Sequence, residues 1–231
     1  GKSTLIGQVS AANPKVADYP FTTLTPSLGV VRIAADASFV MADIPGLIVG
    51  AAQGAGLGAQ FLRHLSRTKV LLHLVDVLPE DQSDPVDNAL AIEQELAEYS
   101  EALIERPIWI GLSKADQLDD EALDTMLQEM AETFPERPIY ALSALGDIGL
   151  TTVTRDLMQF LQEQLQRAAD DPDFATYLSE LERRISDDVY LHSQRMRTKR
   201  LQESEEEESF DDEDVSGDAD EPETEVIYVR E

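Results

Sequence analysis

The stretch Asp43-Ile44-Pro45-Gly46-Leu47 decides the fold of this chain. It closes an apolar, β-branched run, residues 38–44, which predicts a strand that ends in a turn. Residues 28–34 have the same character, and a short Ala-Asp-Ala link joins the two runs, so together they predict a β-hairpin. Asp43 and Gly46 therefore stand at a strand end, where an α/β sheet binds its ligands.

Downstream, a strand followed by a helix occurs three times. Apolar runs at residues 70–75, 107–112 and 138–142 predict strands, and apolar residues at helical spacing follow each of them. This alternation predicts an α/β fold with a mostly parallel sheet, one antiparallel edge strand and helices on both faces. Polar residues stand at the predicted strand ends, namely Asp43, residues 113–116 and Ser143, and we expect them to form one site.

The chain opens with Gly1-Lys2-Ser3-Thr4, the last half of the phosphate-binding pattern G-x-x-x-x-G-K-[ST]. A helix N-terminus at this point would offer free N–H groups to a phosphate. The alternative is an ordinary helix start with a Ser/Thr cap. Since the motif begins part-way, we expect the chain to be a fragment that lacks the first strand and the start of the phosphate loop. Residues 14–26 follow as a proline-rich loop.

Charge divides the chain into two parts. The net charge is −28 over 231 residues, and residues 201–231 hold fifteen acidic residues and one basic residue, a net of −14. The other 200 residues therefore also carry −14, which argues against bulk attraction to nucleic acid, although local basic patches can still touch RNA. We expect a disordered acidic tail at 201–231 and a basic helical segment at 169–200, either packed on the main domain or exposed as an arm.

Cysteine is absent, which excludes disulfides and thiolate metal sites and fits a reducing cytoplasm. No apolar run reaches the roughly 20 residues that span a bilayer. His64 and His73 are interpreted as helix and strand residues, and Trp109 as core. Asp76 and Asp81 are interpreted as surface loop carboxylates.

Five motifs stand in the order and at the strand ends of a GTPase G domain. They are Gly1-Lys2-Ser3, a threonine at 22 or 23, Asp43-x-x-Gly46, Ser113-Lys114-Ala115-Asp116 and Ser143-Ala144-Leu145. Residues 13–24, 42–50 and 56–65 closely resemble the switch regions of the Obg/CgtA family. The resemblance covers residues 1–168 and implies a P-loop NTPase G domain. The acidic tail also resembles the C-terminal extension of some members, and the family's glycine-rich N-terminal domain would precede Gly1.

The resemblance implies a role for each matching residue. The phosphates would be held by Gly1, Lys2, Ser3 and Thr4, and the switch loop would supply Phe21, Thr22 and Thr23. Magnesium would be held by Ser3, Thr23 and, through water, Asp43. The γ-phosphate would be sensed by Gly46, and catalysis would depend on Lys2, Thr23 and Gly46. The guanine base would be held by Ser113, Lys114, Asp116, Ser143, Ala144 and Leu145.

Two residues depart from common G-domain patterns. Ser113 replaces the asparagine of Asn-Lys-x-Asp, so we expect weaker bracing of the phosphate loop, while Asp116 keeps the preference for guanine. Leu47 stands where Ras-like enzymes have a glutamine that orients water, so we expect slow intrinsic hydrolysis. The Obg/CgtA family shares this second substitution.

The resemblance therefore implies a Mg²⁺-dependent, slow GTPase that acts as a switch in large ribosomal subunit assembly and in the stress response. Expected ligands are GTP, GDP and guanosine tetraphosphate, and K⁺ is a further candidate ion. A cytoplasmic monomer is expected. The alternatives are a nucleotide-dependent binding module with negligible turnover and a related ATPase.

Overall fold

A computed structural model describes residues 1–10, 15–16, 27–43 and 65–211. The described strands are β1 (Lys15–Val16), β2 (Ser27–Ala34), β3 (Ala37–Asp43), β4 (Leu71–Asp76), β5 (Ile108–Ser113) and β6 (Ile139–Leu142). The described helices are α1 (Lys2–Val9), α2 (Pro85–Tyr99), α3 (Glu101–Ile104), α4 (Asp120–Thr133), α5 (Leu150–Asp170) and α6 (Pro172–Asp211), with a 3₁₀ helix at Ala115–Gln117.

The described strands form two hydrogen-bonded sheets. The first is antiparallel, in the order β1-β2-β3, and its β2–β3 pair is the predicted hairpin. The second is parallel, in the order β4-β5-β6. The predicted α/β fold is confirmed, and the parallel strands all end on the same edge, where the polar residues stand.

Helices cover both faces of the parallel sheet. Alternate residues of β5 point to opposite faces, so Ile110 and Leu112 pack with Met130 of α4, whereas Trp109 packs with Val153 of α5. Trp109 is 5% exposed, which confirms its prediction as a core residue. The pair Asp84-Pro85 is a sequence signal for a helix start, and α2 begins there, because the Asp84 side chain accepts hydrogen bonds from the first backbone N–H groups of the helix.

One predicted helix is interrupted. Ile92, Leu96, Tyr99 and Leu103 keep the apolar spacing of one continuous helix, but Ser100 is extended, at φ −164° and ψ 120°, and separates α2 from α3. Ser100 is buried, and its hydroxyl donates a hydrogen bond of 2.5 Å to Asp188 of α6. A tertiary contact with a distant helix thus accompanies the break.

Residues Gly1–Ser193 make one compact unit, which includes the first part of α6. There α6 packs Leu181, Ile185 and Val189 against a cluster that contains Leu65, Leu96 and Leu103. The sequence left two alternatives for this segment, a helix packed on the main domain and an exposed arm. Up to residue 193 the structure shows the packed helix. Residues 194–211 are helical and belong to a second unit, so residues 201–211 of the predicted disordered tail form the end of α6. Residues 212–231 of that tail lie outside the described residues.

None of the described helices combines the length and the apolar character needed to cross a membrane.

Candidate functional site

An open cavity of about 170 Å³ lies at the carboxyl edge of the parallel sheet. Its walls come from three separate parts of the chain. Gly1 and Thr4 stand at the start of α1, and the loop after β5 supplies Ser113, Lys114 and Asp116. The loop after β6 supplies Ser143, Ala144 and Leu145. Eight residues predicted from separate motifs therefore line one cavity.

The floor of the cavity is apolar. Leu74 of β4 and Leu142 of β6 meet over Gly111 of β5, which lies between them in the sheet. A Cβ atom at Gly111 would lie 2.6 Å from Leu142 and 2.8 Å from Leu74, so glycine is what allows both leucines to close the floor. Such a surface suits the flat face of an aromatic base, while the rim is polar.

Asp116 stands in the 3₁₀ helix that follows β5, with its side chain exposed at the cavity. A carboxylate accepts two hydrogen bonds, and guanine offers the adjacent N1–H and N2–H₂ donors that would fill both. Adenine lacks this donor pair.

The loop after β6 is held by Ser143. This residue is 1% exposed, and its Oγ accepts a hydrogen bond of 2.8 Å from the Gly146 N–H. Its backbone N–H and C=O both pair with Ile148 at 3.0 Å. These bonds close a tight loop that presents Ala144 and Leu145, and Leu145 is 82% exposed.

The side chain of Lys114 is fixed by an ion pair with Asp76. Its Nζ lies 2.6 Å from Oδ2 of Asp76, at the carboxyl end of β4. The hydrogen bond that Lys114 donates to the Asp76 carboxylate raises the pKa of Lys114 above its ordinary value. Asp76, interpreted from the sequence as a surface loop carboxylate, is the last residue of β4, and the parallel register of β4 and β5 places it directly opposite Ser113.

A second polar group lies at the end of β3. The Ser3 hydroxyl donates a hydrogen bond to Oδ2 of Asp43, and Asp43 is only 9% exposed. Its Oδ1 atom is buried and, within the part of the chain that the structure describes, has no hydrogen-bond partner. A hydroxyl and a carboxylate with one uncommitted oxygen fit a Mg²⁺ ion, which prefers oxygen ligands and retains water.

Several predicted residues are not tested by this geometry. Lys2 and Ser3 stand in the exposed first turn of α1, outside the lining of the cavity. Phe21, Thr22, Thr23 and Gly46 lie outside the described residues, as does Leu47. Over the described ranges no group of three or more acidic or histidine side chains forms a metal cluster.

A family model described as "50S ribosome-binding GTPase" matches residues 1–114. The fold is that of a P-loop GTPase G domain. The match ends in the loop that follows β5. Residues 142–145, which also line the cavity, lie beyond the match, so their position is an independent observation in favour of this G domain.

Solved structures agree with this fold. A variant of Era from Aquifex aeolicus bound to GDP·AlF₄⁻ superimposes with a TM-score of 0.50 and 18% identity, covering 69% of this chain and 52% of its own. Era in complex with MgGDPNP and nucleotides 1506–1542 of 16S ribosomal RNA gives a TM-score of 0.50 and 19% identity, with coverage of 69% and 52%. The chain thus spans about half of the Era chains.

A nucleolar GTP-binding protein 1 from Plasmodium falciparum gives a TM-score of 0.52 at 18% identity, covering 77% of this chain and 90% of its own. At these identities the likeness shows the fold of the G domain.

Proposed function

We propose that the protein is a guanine-nucleotide switch that binds GTP with Mg²⁺ and hydrolyses it slowly to GDP. The observation that carries the proposal is the cavity that joins Gly1 and Thr4 to the Ser113–Asp116 and Ser143–Leu145 loops. A base at Asp116 and phosphates at the start of α1 would place one nucleotide across the carboxyl edge of the sheet, where open α/β sheets bind their ligands.

In this proposal each group of residues has its own role. The first turn of α1 would bind the β- and γ-phosphates through its free N–H groups and Lys2. Ser3 and Asp43 would hold Mg²⁺, which would neutralise phosphate charge as it develops during hydrolysis. Thr23 and Gly46 would respond to the γ-phosphate, so that its loss would release the segments that carry them.

Equilibrium titration with a fluorescent GDP analogue, with GTP and ATP as competitors, tests the binding part. We expect GDP and GTP to displace the analogue and ATP to fail at the same concentration. Equal displacement by ATP would favour the ATPase alternative, and absence of binding by the whole chain would contradict the proposal.

A binding module without useful turnover is the second candidate, and the Leu47 and Ser113 substitutions favour it. Phosphate release from GTP, measured with and without purified large ribosomal subunits, separates the two candidates. We expect slow release that increases with the subunits. Nucleotide binding without release in either condition would favour the binding module.

We also propose that the switch acts in the cytoplasm in assembly of the large ribosomal subunit. The description of the matching family model supports this partner. Co-sedimentation with large subunits should be stronger with GDPNP than with GDP, and small subunits serve as the control. Displacement of the GDP analogue by guanosine tetraphosphate would test the proposed role in the stress response.

A further inference from the structure

We infer that Asp76 is a positioning residue of the base site, which it serves by fixing the side chain of Lys114 along the cavity wall. This inference rests on the proposed function, because it assigns the Asp76–Lys114 pair to guanine-nucleotide binding. Asp76 itself is not among the residues that line the cavity, whereas Lys114 is.

Both oxygens of Asp76 have partners. Oδ1 accepts a hydrogen bond of 3.1 Å from the Leu78 N–H, and Oδ2 lies 2.6 Å from Nζ of Lys114. The backbone bond orients the carboxylate, and the parallel register of β4 and β5 brings it opposite Ser113, one residue before the lysine. The strand pairing therefore places the carboxylate where Lys114 can reach it.

The backbone of Lys114 is fixed as well. It adopts a left-handed conformation, at φ 65° and ψ 30°, which is uncommon for a residue with a side chain and occurs often at functional sites. Its C=O accepts a hydrogen bond of 2.9 Å from the Gln117 N–H. The four-carbon side chain is then the part of Lys114 that remains free to rotate, and Asp76 holds its end.

The pair is too exposed to act chiefly as a stabiliser of the fold. Both side chains are 36% exposed, and ion pairs of this kind contribute little to the free energy of unfolding. Its effect should instead appear in binding, because a side chain that is already ordered loses less conformational entropy when a ligand packs against it.

Charge alone predicts the opposite effect. Asp76 is a negative group close to a site for an anionic nucleotide, so its neutralisation should strengthen binding if long-range charge dominates. Glu80 offers a matched control, since it is exposed and acts on Lys114 only through its charge. The change in GDP affinity expected for Asp76→Asn is therefore opposite in sign to the change expected for Glu80→Gln.

The test is a double-mutant cycle read out as GDP affinity of the whole chain. Asp76→Asn keeps an oxygen for the Leu78 N–H, and Lys114→Met keeps the apolar part of the lysine side chain. We expect Asp76→Asn to weaken GDP binding roughly three- to tenfold. In the Lys114→Met background the same change should have less than about a twofold effect. Glu80→Gln should leave binding unchanged or slightly tighter.

Asp76→Glu restores the carboxylate and should recover part of the affinity. Unchanged affinity of Asp76→Asn, or an equal loss in both backgrounds, would overturn the inference while leaving the proposed function intact. Failure of the unmodified chain to bind GDP would overturn both. Unfolding curves of all variants exclude a loss of folding as the cause.

Discussion

The Ser3 hydroxyl donates a hydrogen bond to the carboxylate of Asp43, forty residues further along the chain. This contact joins the first turn of α1 to the end of β3, and so brings together two motifs that the sequence separates. It also leaves Oδ1 of Asp43 buried and without a partner in the described part of the chain. A buried carboxylate oxygen without a partner costs free energy, which a bound cation would offset.

We therefore expect Asp43→Asn to affect magnesium-dependent binding selectively. The amide keeps an oxygen for Ser3 but removes the charge that attracts Mg²⁺. GTP affinity measured with Mg²⁺ should fall by about tenfold or more, the usual effect of losing a group that supports a bound metal. Affinity measured in EDTA should change little. An equal loss in both conditions would contradict the magnesium assignment, and Asp36→Asn in the exposed hairpin turn is the control.

Asp116 should determine the choice of base. Asp116→Asn replaces a double acceptor by a group with one acceptor and one donor, which no longer matches guanine. We expect the GTP-to-ATP affinity ratio to fall by at least about tenfold, since a mismatched hydrogen-bonding site leaves buried polar groups unpaired. Competition titration measures the ratio. Asp120→Asn, at a neighbouring exposed carboxylate, should leave it unchanged.

Gly149 should not tolerate a side chain. It has φ +71°, and a Cβ atom there would lie 2.1 Å from the carbonyl oxygen of Ala141. Gly149→Ala should therefore lower the free energy of unfolding by about 2 kcal/mol or more. Gly7→Ala is the matched control, because nothing lies within 4 Å of the added atom and alanine favours the helix. Urea denaturation compares the two, and equal stability would contradict the prediction.

Helix α6 should contribute to the stability of the G domain. Ile185 is fully buried among residues of α2, α3 and α6, so Ile185→Ala should cost about 2–5 kcal/mol of unfolding free energy. Leu191 lies on the same helix but is 48% exposed, and Leu191→Ala should change stability by less than about 0.5 kcal/mol. Similar values for the two variants would argue against the packed helix.

His73 should make stability depend on pH. Burial, helped by the charge of Arg137, lowers the pKa of His73 to about 4. Arg137 is itself paired with Glu93, and the Nδ1 atom of His73 is buried. An unfolded histidine has a pKa near 6.5, so between pH 6.5 and 4 the unfolded state binds the proton and the folded state does not. Stability should therefore fall as pH falls through this range.

Denaturation of the wild type and of His73→Leu at pH 7, 6 and 5 measures this effect. The free energy of unfolding of His73→Leu relative to that of the wild type should increase as pH falls. Taking this difference cancels the contribution of the carboxylates that both proteins share. The full shift of the His73 pKa corresponds to a change of no more than about 3 kcal/mol in the free energy of unfolding. A difference that stays constant with pH would contradict the lowered pKa.

The sequence predicted five of the six described strands, because each of those apolar runs is bounded by residues that end a strand. It missed β1, Lys15–Val16, which lies within the predicted loop 14–26. Asp84-Pro85 marks the start of α2, and Asp43 and Ser113 mark the ends of β3 and β5. The grouping of the site residues followed from one rule, that parallel strands end on a common edge. This grouping could be predicted without knowing which strands pair in the sheet.

Asp76 and Ser100 show where this reasoning ends. The contact of Asp76 with Lys114 depends on the register between β4 and β5, which periodicity does not encode. Ser100 breaks a helix whose apolar spacing continues, in association with a hydrogen bond to Asp188 that is remote in sequence. The sequence shows an apolar face of α6 at Phe174, Leu178, Leu181 and Ile185, but it does not show which surface that face covers.

The docking of α6 determines how the chain can be shortened. Leu181, Ile185 and Val189 cover Leu65, Leu96, Tyr99 and Leu103, all of which belong to the G domain. A cut at residue 168, where the family resemblance ends, would uncover these side chains as one apolar patch and favour aggregation. A version trimmed for binding assays should therefore retain the chain at least through Ser193, the end of the compact unit.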